Sequence, residues 1–183
     1  MVLAPSSWSA RQAKDSSILR GLDLRVFPIP LDLAVLNIAR GRDTGVPSLN
    51  DTRTQLYAAT NSSFLKPYES WVEFAANLKN PTSVVNFIAA YGRHPSINED
   101  GTLDQKRDAA ILLVFGGPGA PADRVDFLNG TGAWAGQQTG LNDIDLWIGG
   151  LAEKVMPFGG MLGSTFNAIF EAQMENLQDG DRF

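Results

Sequence analysis

Few side chains in this 183-residue chain could act as nucleophiles, bases or metal ligands. It contains no cysteine and a single histidine, His94. The lack of cysteine excludes disulfides, thiolate metal sites and cysteine nucleophiles. A zinc site with two imidazole ligands cannot be built from His94 alone. Chemistry in this chain must therefore use carboxylates, or a group that lies outside the chain.

The charge balance of the chain argues against two classes of partner. The formal net charge is −5, and no block of like charge is present. Nucleic acids and anionic membranes are bound through clustered Lys and Arg, so neither is expected as a partner. No run reaches the roughly 18 apolar residues of a membrane span. The first residues also lack the charged and apolar regions of a signal peptide.

Apolar residues recur at helical spacing, and no alternation of period two is sustained. The predicted fold class is therefore mainly α, with long loops and little or no strand. Residues 1–18 are polar and expected to be poorly ordered, and residues 116–143, rich in Gly, Pro, Asp and Asn, are expected to form an irregular connection. Helices are predicted over Leu33–Arg40, 68–79, Pro81–Tyr91, Leu103–Phe115, Asp143–Lys154 and Gly163–Gln178. Asp32 and Asp143 are predicted as N-caps, and Gly41, Gly45 and Gly92 as helix breaks. Trp147 is predicted to anchor the core.

One predicted helix carries an unusual combination of side chains on a single face. Leu33, Leu36, Asn37 and Arg40 fall at positions i, i+3, i+4 and i+7, which places them side by side. Two leucines beside an amide and a guanidinium are an odd stripe for a simple core. We therefore treat this stripe as a candidate binding surface.

Two segments carry specific sequence patterns. Residues 33–50 read LAVLNIARGRDTGVPSLN, and residues 143–153 read DIDLWIGGLAE. They resemble the LNxxRGRDxGxPxYN and DIDLWxGGLxE segments of the animal haem peroxidase family. The downstream LGSTF and GDRF sequences match further family segments in the same order. Other details, at residues 116–121 and 156–161, are most similar to large bacterial members, which often carry calcium-binding repeats. Thr44 and Leu49 replace the usual His and Tyr, which indicates a subfamily.

The resemblance implies that residues 1–183 are the C-terminal portion of one haem peroxidase domain. In that family, the residue matching Asn37 accepts a hydrogen bond from the ring N–H of the proximal histidine, a contact that tunes the iron ligand. The resemblance places Leu33 and Leu36 against the haem, and Arg40 at a haem propionate. The alternative reading of Asn37 is a buried amide that bonds to local backbone.

The histidines that act in the family's chemistry have no match in this chain. The family's proximal histidine precedes the Asn37 segment, whereas His94 follows it, so we expect His94 to be a surface or helix-end residue and no iron ligand. The distal histidine and arginine, the proximal histidine and the family's calcium loop would all precede Met1. A fragment of this kind is expected to leave a poorly packed apolar face around Leu33, Leu36 and Phe166.

The remaining charged residues of the two segments are expected to be structural. Arg42 and Asp43 follow a helix end, where an ion pair or a backbone-bonded carboxylate could lock the turn. The spacing of Asp143, Asp145 and Glu153 matches no calcium loop, so no metal site is predicted in this chain.

The activity implied for the full-length protein is the haem-dependent oxidation of small donors by hydrogen peroxide. The donor could be a halide, a phenol or Mn(II), and the redox chemistry would belong to the haem. No turnover is expected from this chain alone, whose partner would be the upstream remainder of the same polypeptide. The full-length protein is expected to be secreted and to bind calcium, if at all, outside this chain. Two alternatives stay open: a haem fatty-acid dioxygenase, and a non-catalytic helical interaction module.

Overall fold

The computed structural model describes residues 32–157 and 160–181. The chain divides into two units, Met1–Arg40 and Gly41–Phe183. The expectation for residues 1–18 and the last two residues of the GDRF segment lie outside the described residues.

The described residues are mainly helical, which confirms the predicted fold class. They form no named strand, and only three isolated antiparallel bridges join Ser48 to Asp145, Leu78 to Glu153 and Val155 to Gly163. Short 3-10 turns lie between several helices. The α-helices are α1 (Leu33–Asp43), α2 (Leu49–Thr60), α3 (Trp71–Ala76), α4 (Val84–Tyr91), α5 (Leu103–Phe115), α6 (Arg124–Asn129), α7 (Leu146–Ala152) and α8 (Ser164–Gly180).

Polar residues at the N-termini explain where several helices begin. Asp32 accepts hydrogen bonds from the backbone N–H groups of the first turn of α1 through its Oδ1, as predicted. Ser48 and Ser70 cap α2 and α3 in the same way. Thr102 and Gln105 form a complete capping box at α5. These side chains satisfy N–H groups that have no partner within the helix.

Two predicted helices are shorter than expected, because their ends pair with each other. The helix predicted over residues 68–79 is reduced to α3. Beyond it, the N–H of Lys79 donates to the Ala152 carbonyl, and the N–H of Lys154 donates to the Asn77 carbonyl. The helix predicted from Asp143 begins at Leu146, so the assignment of Asp143 as an N-cap is wrong. Asp143 ends a 3-10 turn.

The prediction of an irregular connection over residues 116–143 is wrong in part, because α6 lies within it. Phe127 on α6 is fully buried and packs between Trp71 and Trp134, with ring centroids 6.4 and 5.0 Å away. A single anchoring aromatic among glycines and prolines gives too little periodicity to predict a six-residue helix. The predicted break at Gly41 is also absent, since α1 runs through it to Asp43.

The core lies in the Gly41–Phe183 unit and is built around aromatic rings on α3, α4 and α6. Phe74 is fully buried and contacts Tyr68, Trp71 and Phe87 edge-on, at centroid distances of 5.3, 6.3 and 5.0 Å. Edge-to-face packing of this kind adds to the hydrophobic gain from burial. Trp147, predicted as a core anchor, is only half-buried.

His94 lies at the edge of this core, so the prediction of a surface position is wrong. Its imidazole is 5% exposed and stacks on Trp134, with ring centroids 5.3 Å apart. The backbone N–H of Ser96 donates to Nδ1, at 3.1 Å. That contact leaves Nε2 to donate to Asp123, at 3.2 Å. His94 does follow a helix end, because Gly92 caps α4.

We predict that Gly140→Ala destabilises the Gly41–Phe183 unit far more than Gly136→Ala does. Both glycines have positive φ, +92° and +73°, which costs an alanine about 1–2 kcal/mol. A Cβ at Gly140 would also overlap the Tyr91 carbonyl oxygen, whereas nothing lies within 4 Å of one at Gly136. We expect a loss of about 3 kcal/mol or more for Gly140→Ala in urea unfolding. Equal losses for the two variants would contradict the close backbone approach.

Candidate functional site

The predicted binding stripe lies on α1, where none of the helical residues is buried. Leu33 and Leu36 are 68% and 40% exposed, and Asn37 and Arg40 are exposed as well. Other large apolar side chains of the described residues, among them Leu103 and Phe115, are exposed to a similar degree.

A compact turn ends α1 and leads into α2. The N–H of Val46 donates to the Gly41 carbonyl at 2.8 Å, and the N–H of Gly45 donates to the Arg42 carbonyl at 3.3 Å. Gly45 has φ +74°. This pair of bonds around a left-handed glycine is a Schellman motif, which fixes the direction in which the chain leaves the helix.

Arg42 links this turn to the start of α7. Its Nε and Nη2 donate to the two carboxylate oxygens of Asp145, at 2.9 and 2.6 Å. The Tyr91 hydroxyl donates to the same carboxylate, at 2.7 Å. We call these three residues the Arg42–Asp145–Tyr91 clamp. Of the two alternatives considered for Arg42 and Asp43, Arg42 does form an ion pair, but its partner is Asp145, 103 residues along the chain, rather than a residue of the turn.

The electrostatics of the clamp favour its charged form. The hydrogen bond from Arg42 lowers the pKa of the Asp145 carboxyl, with a smaller contribution from Tyr91. Burial, followed by the hydrogen bond to Asp145, raises the pKa of Tyr91 to about 12. Asp145 therefore stays ionised, and Tyr91 stays a neutral donor, at neutral pH.

Backbone contacts join the same two segments a second time. The N–H of Leu49 donates to the Ile144 carbonyl, at 2.8 Å, beside the Ser48–Asp145 bridge. Gly149 makes this approach possible, because a Cβ there would lie 2.8 Å from Leu49 Cδ2. The double glycine of the DIDLWIGGLAE segment is thus explained by packing, since a Cβ at Gly150 would similarly meet the Phe166 ring.

A buried polar cluster lies at the other end of α7. Glu153 is 1% exposed, and its Oε1 accepts from Arg53, Tyr68 and the Thr165 hydroxyl, at 2.8, 3.0 and 2.7 Å. Its Oε2 accepts from the Thr165 backbone N–H, at 2.8 Å. We call Arg53, Tyr68, Glu153 and Thr165 the Glu153 cluster. It ties α2, α7 and α8 together through one carboxylate.

Arg53 of the cluster is fully engaged as well. Its Nε and Nη2 donate to the carbonyls of Lys66 and Phe64, and its guanidinium carbon lies 4.1 Å from the centre of the Tyr68 ring. Burial and the Glu153 charge raise the pKa of Tyr68. A buried ion pair whose hydrogen bonds are all made is a structural element, with no donor left to act on a substrate.

Sequence reasoning did not single out Arg53, Tyr68 or Tyr91. Arg53 was detectable in principle, because a Glu within an otherwise apolar helix end requires a buried partner. Of the predicted structural residues, Asp143 forms an ion pair with Arg93 at 2.8 Å, with side chains 43% and 51% exposed. In residues 32–157 and 160–181, no group of three or more His, Cys, Asp or Glu side chains could hold a metal. No helix in this part of the chain is long and apolar enough to cross a membrane.

Comparisons with known proteins support the family that the sequence patterns indicate. Residues 139–183 match the family model described as animal haem peroxidase. The chain is 28% identical over 176 residues to thyroid peroxidase of Sus scrofa, covering 94% of this chain and 13% of that protein. It is also 28% identical over 176 residues to chorion peroxidase of Drosophila melanogaster, covering 94% and 14%. Myeloperoxidase of Mus musculus is 26% identical over 161 residues, covering 87% and 14%.

These similarities support the predicted relationship to the animal haem peroxidase family, with the family model matching the last quarter of the chain. The chain spans 13% and 14% of the length of the first two relatives. No solved structure matches the chain. The resemblance to large bacterial members with calcium-binding repeats stays a prediction.

We predict that Arg53→Met destabilises the Gly41–Phe183 unit by about 3–5 kcal/mol, because it leaves the Glu153 carboxylate buried without its cation. Arg93→Met is the matched control, since it breaks the half-exposed pair with Asp143 and should cost less than about 1 kcal/mol. Urea unfolding followed by far-UV circular dichroism measures both. Similar values for the two variants would show that the Glu153 cluster is not the stabilising element described here.

Proposed function

We propose that this chain is the C-terminal portion, residues 1–183, of a haem peroxidase domain. The similarity to thyroid, chorion and myeloperoxidase over most of the chain supports this proposal. The full-length protein would use hydrogen peroxide to oxidise small donors, a halide, a phenol or Mn(II), and would be an oxidoreductase. Secretion, calcium bound outside this chain and a role in oxidative stress rest on the family resemblance alone.

The part assigned to this chain is the helix on the proximal side of the haem. The single observation that supports this role is the exposed stripe on α1, where Leu33 and Leu36 are exposed beside Asn37 and Arg40. Two leucines suit the flat apolar face of a porphyrin, and a guanidinium suits a propionate carboxylate. The donor set of α1 therefore fits haem.

Asn37 would act on the iron through a histidine that is not in this chain. Its side-chain carbonyl would accept a hydrogen bond from the ring N–H of the proximal histidine, which fixes the ring's orientation and raises its basicity. The bound haem would supply the redox chemistry, and the residues of this chain would orient it. His94 does not compete for the role of ligand, because its ring is buried and both nitrogens have partners in Ser96 and Asp123.

A second candidate function is a non-catalytic helical interaction module. The observation that favours it is the closed packing of the Gly41–Phe183 unit, in which the Glu153 cluster satisfies its own hydrogen bonds. Such a unit would unfold cooperatively and would not respond to haem. The two candidates therefore differ in whether the stripe on α1 has a haem to cover it.

We predict no peroxidase turnover by the isolated 183-residue chain. Its one imidazole is buried against Trp134, so no base or iron ligand is available to peroxide. Oxidation of a phenol by hydrogen peroxide should proceed at the rate of free hemin alone when chain and hemin are mixed. Turnover clearly above that of free hemin, and lost in His94→Gln, would contradict this prediction and would identify His94 as a base or an iron ligand.

We predict that Asn37→Leu raises the haem reduction potential in a polypeptide that contains this chain together with the proximal histidine. Loss of the hydrogen bond makes the imidazole a weaker donor, which disfavours the ferric state. The expected rise is about 60 mV, equivalent to one hydrogen bond of about 1.4 kcal/mol in a one-electron couple. Spectroelectrochemical titration measures it.

The matched control is Asn86→Leu, which changes an exposed amide on α4. An unchanged potential in Asn37→Leu would remove Asn37 from its assigned role. Failure of the longer polypeptide to bind haem at all would overturn the proposed function and favour the interaction module.

A further inference from the structure

We infer that Trp134 is a surface oxidation site, whose indole gives an electron to the oxidised haem and takes one from a donor that is too bulky to reach the haem. The inference rests on the proposed function for its oxidant, which is the haem oxidised by hydrogen peroxide. It adds a second substrate class, large phenols, to the small donors of the proposed function.

A carboxylate lies against the indole of Trp134. The indole Nε1–H donates to Asp123 Oδ2 at 2.9 Å, and Nε2 of His94 donates to Oδ1 of the same carboxylate at 3.2 Å. The hydrogen bond from Trp134 lowers the pKa of the Asp123 carboxyl, so this group is an anion at neutral pH. An indole becomes positively charged when it loses an electron, and a neighbouring anion stabilises that charge. The same carboxylate can accept the Nε1 proton.

The other tryptophans that the structure describes lack such a counter-charge. Trp71 is 1% exposed, and its Nε1–H has no hydrogen-bond partner. A positive charge on Trp71 would therefore be buried without an anion, which is costly. Trp147 is half-buried like Trp134, but within residues 32–157 and 160–181 its indole makes no hydrogen bond and no ring contact. Of these three side chains, an oxidising equivalent is most stable on Trp134.

Aromatic rings connect Trp134 to the interior of the Gly41–Phe183 unit. The ring centroid of Trp134 lies 5.0 Å from that of Phe127, which stacks on Trp71 with a centroid distance of 6.4 Å. Electrons move rapidly between rings that are this close, so a positive charge formed within the core can migrate to Trp134. Trp134 is only half-buried, and its neighbours Ala133 and Ala135 are exposed. A large donor in solution can therefore approach the indole.

The electrons and protons of the reaction balance. Trp134 gives one electron to the oxidised haem and its Nε1 proton to Asp123, which leaves a neutral indolyl radical. A phenol at the surface returns an electron to the indole, and Asp123 returns the proton. The phenol loses its own proton to water and becomes a phenoxyl radical. Two such turns consume the two oxidising equivalents of one hydrogen peroxide, which is reduced to two molecules of water.

The first readout needs no haem. The 183-residue chain is oxidised with a photoexcited ruthenium(II) trisbipyridine complex and persulfate, the radicals are captured by a spin trap, and peptide mass spectrometry locates the adducts. We expect more adduct on Trp134 than on Trp71 or Trp147. In Asp123→Asn, which keeps an acceptor but removes the charge, the ratio of Trp134 to Trp147 adduct should fall about tenfold, equivalent to about 59 mV in a one-electron couple. An unchanged ratio would overturn the inference.

The second readout is turnover of the haem-bound longer polypeptide with two matched donors, a free phenol and the same phenol coupled to a large soluble polymer. We expect Trp134→Phe to lower the rate with the polymer at least tenfold and to leave the rate with the free phenol unchanged. Trp147→Phe is the matched control and should change neither rate. Because Trp134→Phe also alters a core contact, Asp123→Asn is the second variant, and it should lower the polymer rate alone.

The outcomes separate this inference from the proposed function. If the longer polypeptide binds haem and Trp134→Phe changes neither rate, the inference is wrong and the proposed function stands. The inference is equally wrong if both rates fall together in Trp134→Phe and in Asp123→Asn, because that pattern reports a structural role. If the longer polypeptide binds no haem, the proposed function fails, and the adduct ratio in the 183-residue chain alone decides whether Trp134 is the oxidised residue.

Discussion

The burial of two opposite charges, Arg53 and Glu153, is the constraint on which the Gly41–Phe183 unit depends. Neither side chain is more than 4% exposed, so each must find partners for every polar atom or lose several kcal/mol. Glu153 finds them on α2, on α8 and at Tyr68, and Arg53 finds them at the backbone of residues 64 and 66. The hydrogen bonds of one ion pair therefore decide which elements meet at the end of α7. Apolar packing alone would tolerate other arrangements.

The sequence patterns that indicate the family correspond to these contacts. Glu153 ends the DIDLWIGGLAE segment, and Thr165, which donates hydrogen bonds to both of its carboxylate oxygens, lies within LGSTF. Asp145 of the same DIDLWIGGLAE segment accepts hydrogen bonds from Arg42 of the RGRD sequence. The spacing of the segments along the chain looks arbitrary until the fold brings them together. Their residue types then follow from the need to pair buried or half-buried polar groups across long loops.

Local signals predicted the fold where a helix carried its own start and stop. Helix α5 has the predicted bounds, because Thr102 and Gln105 form a capping box and Gly116 ends the helix. Prediction failed where distant contacts decide the outcome. The start of α7 is delayed to Leu146, because Asp145 is held extended beside Ser48, and α6 exists because Phe127 fills a site in the core. His94 was predicted as a surface or helix-end residue, and its burial was missed because no residue near it in the sequence indicates that Trp134 stacks on its ring.

The residues of the matched sequence segments fall into two groups with different surroundings. Arg42, Asp145, Glu153 and Thr165 satisfy one another within the chain, so their presence accounts for the fold whether or not a haem is bound. Leu33 and Leu36 have no such internal explanation, because they are exposed on a helix without a buried residue. Similarity to other proteins at the first group of residues therefore reflects the architecture of the Gly41–Phe183 unit. The proposed contact with a haem depends instead on the stripe of α1, where Leu33, Leu36, Asn37 and Arg40 are exposed and where the contacts of the Gly41–Phe183 unit do not explain the residue types.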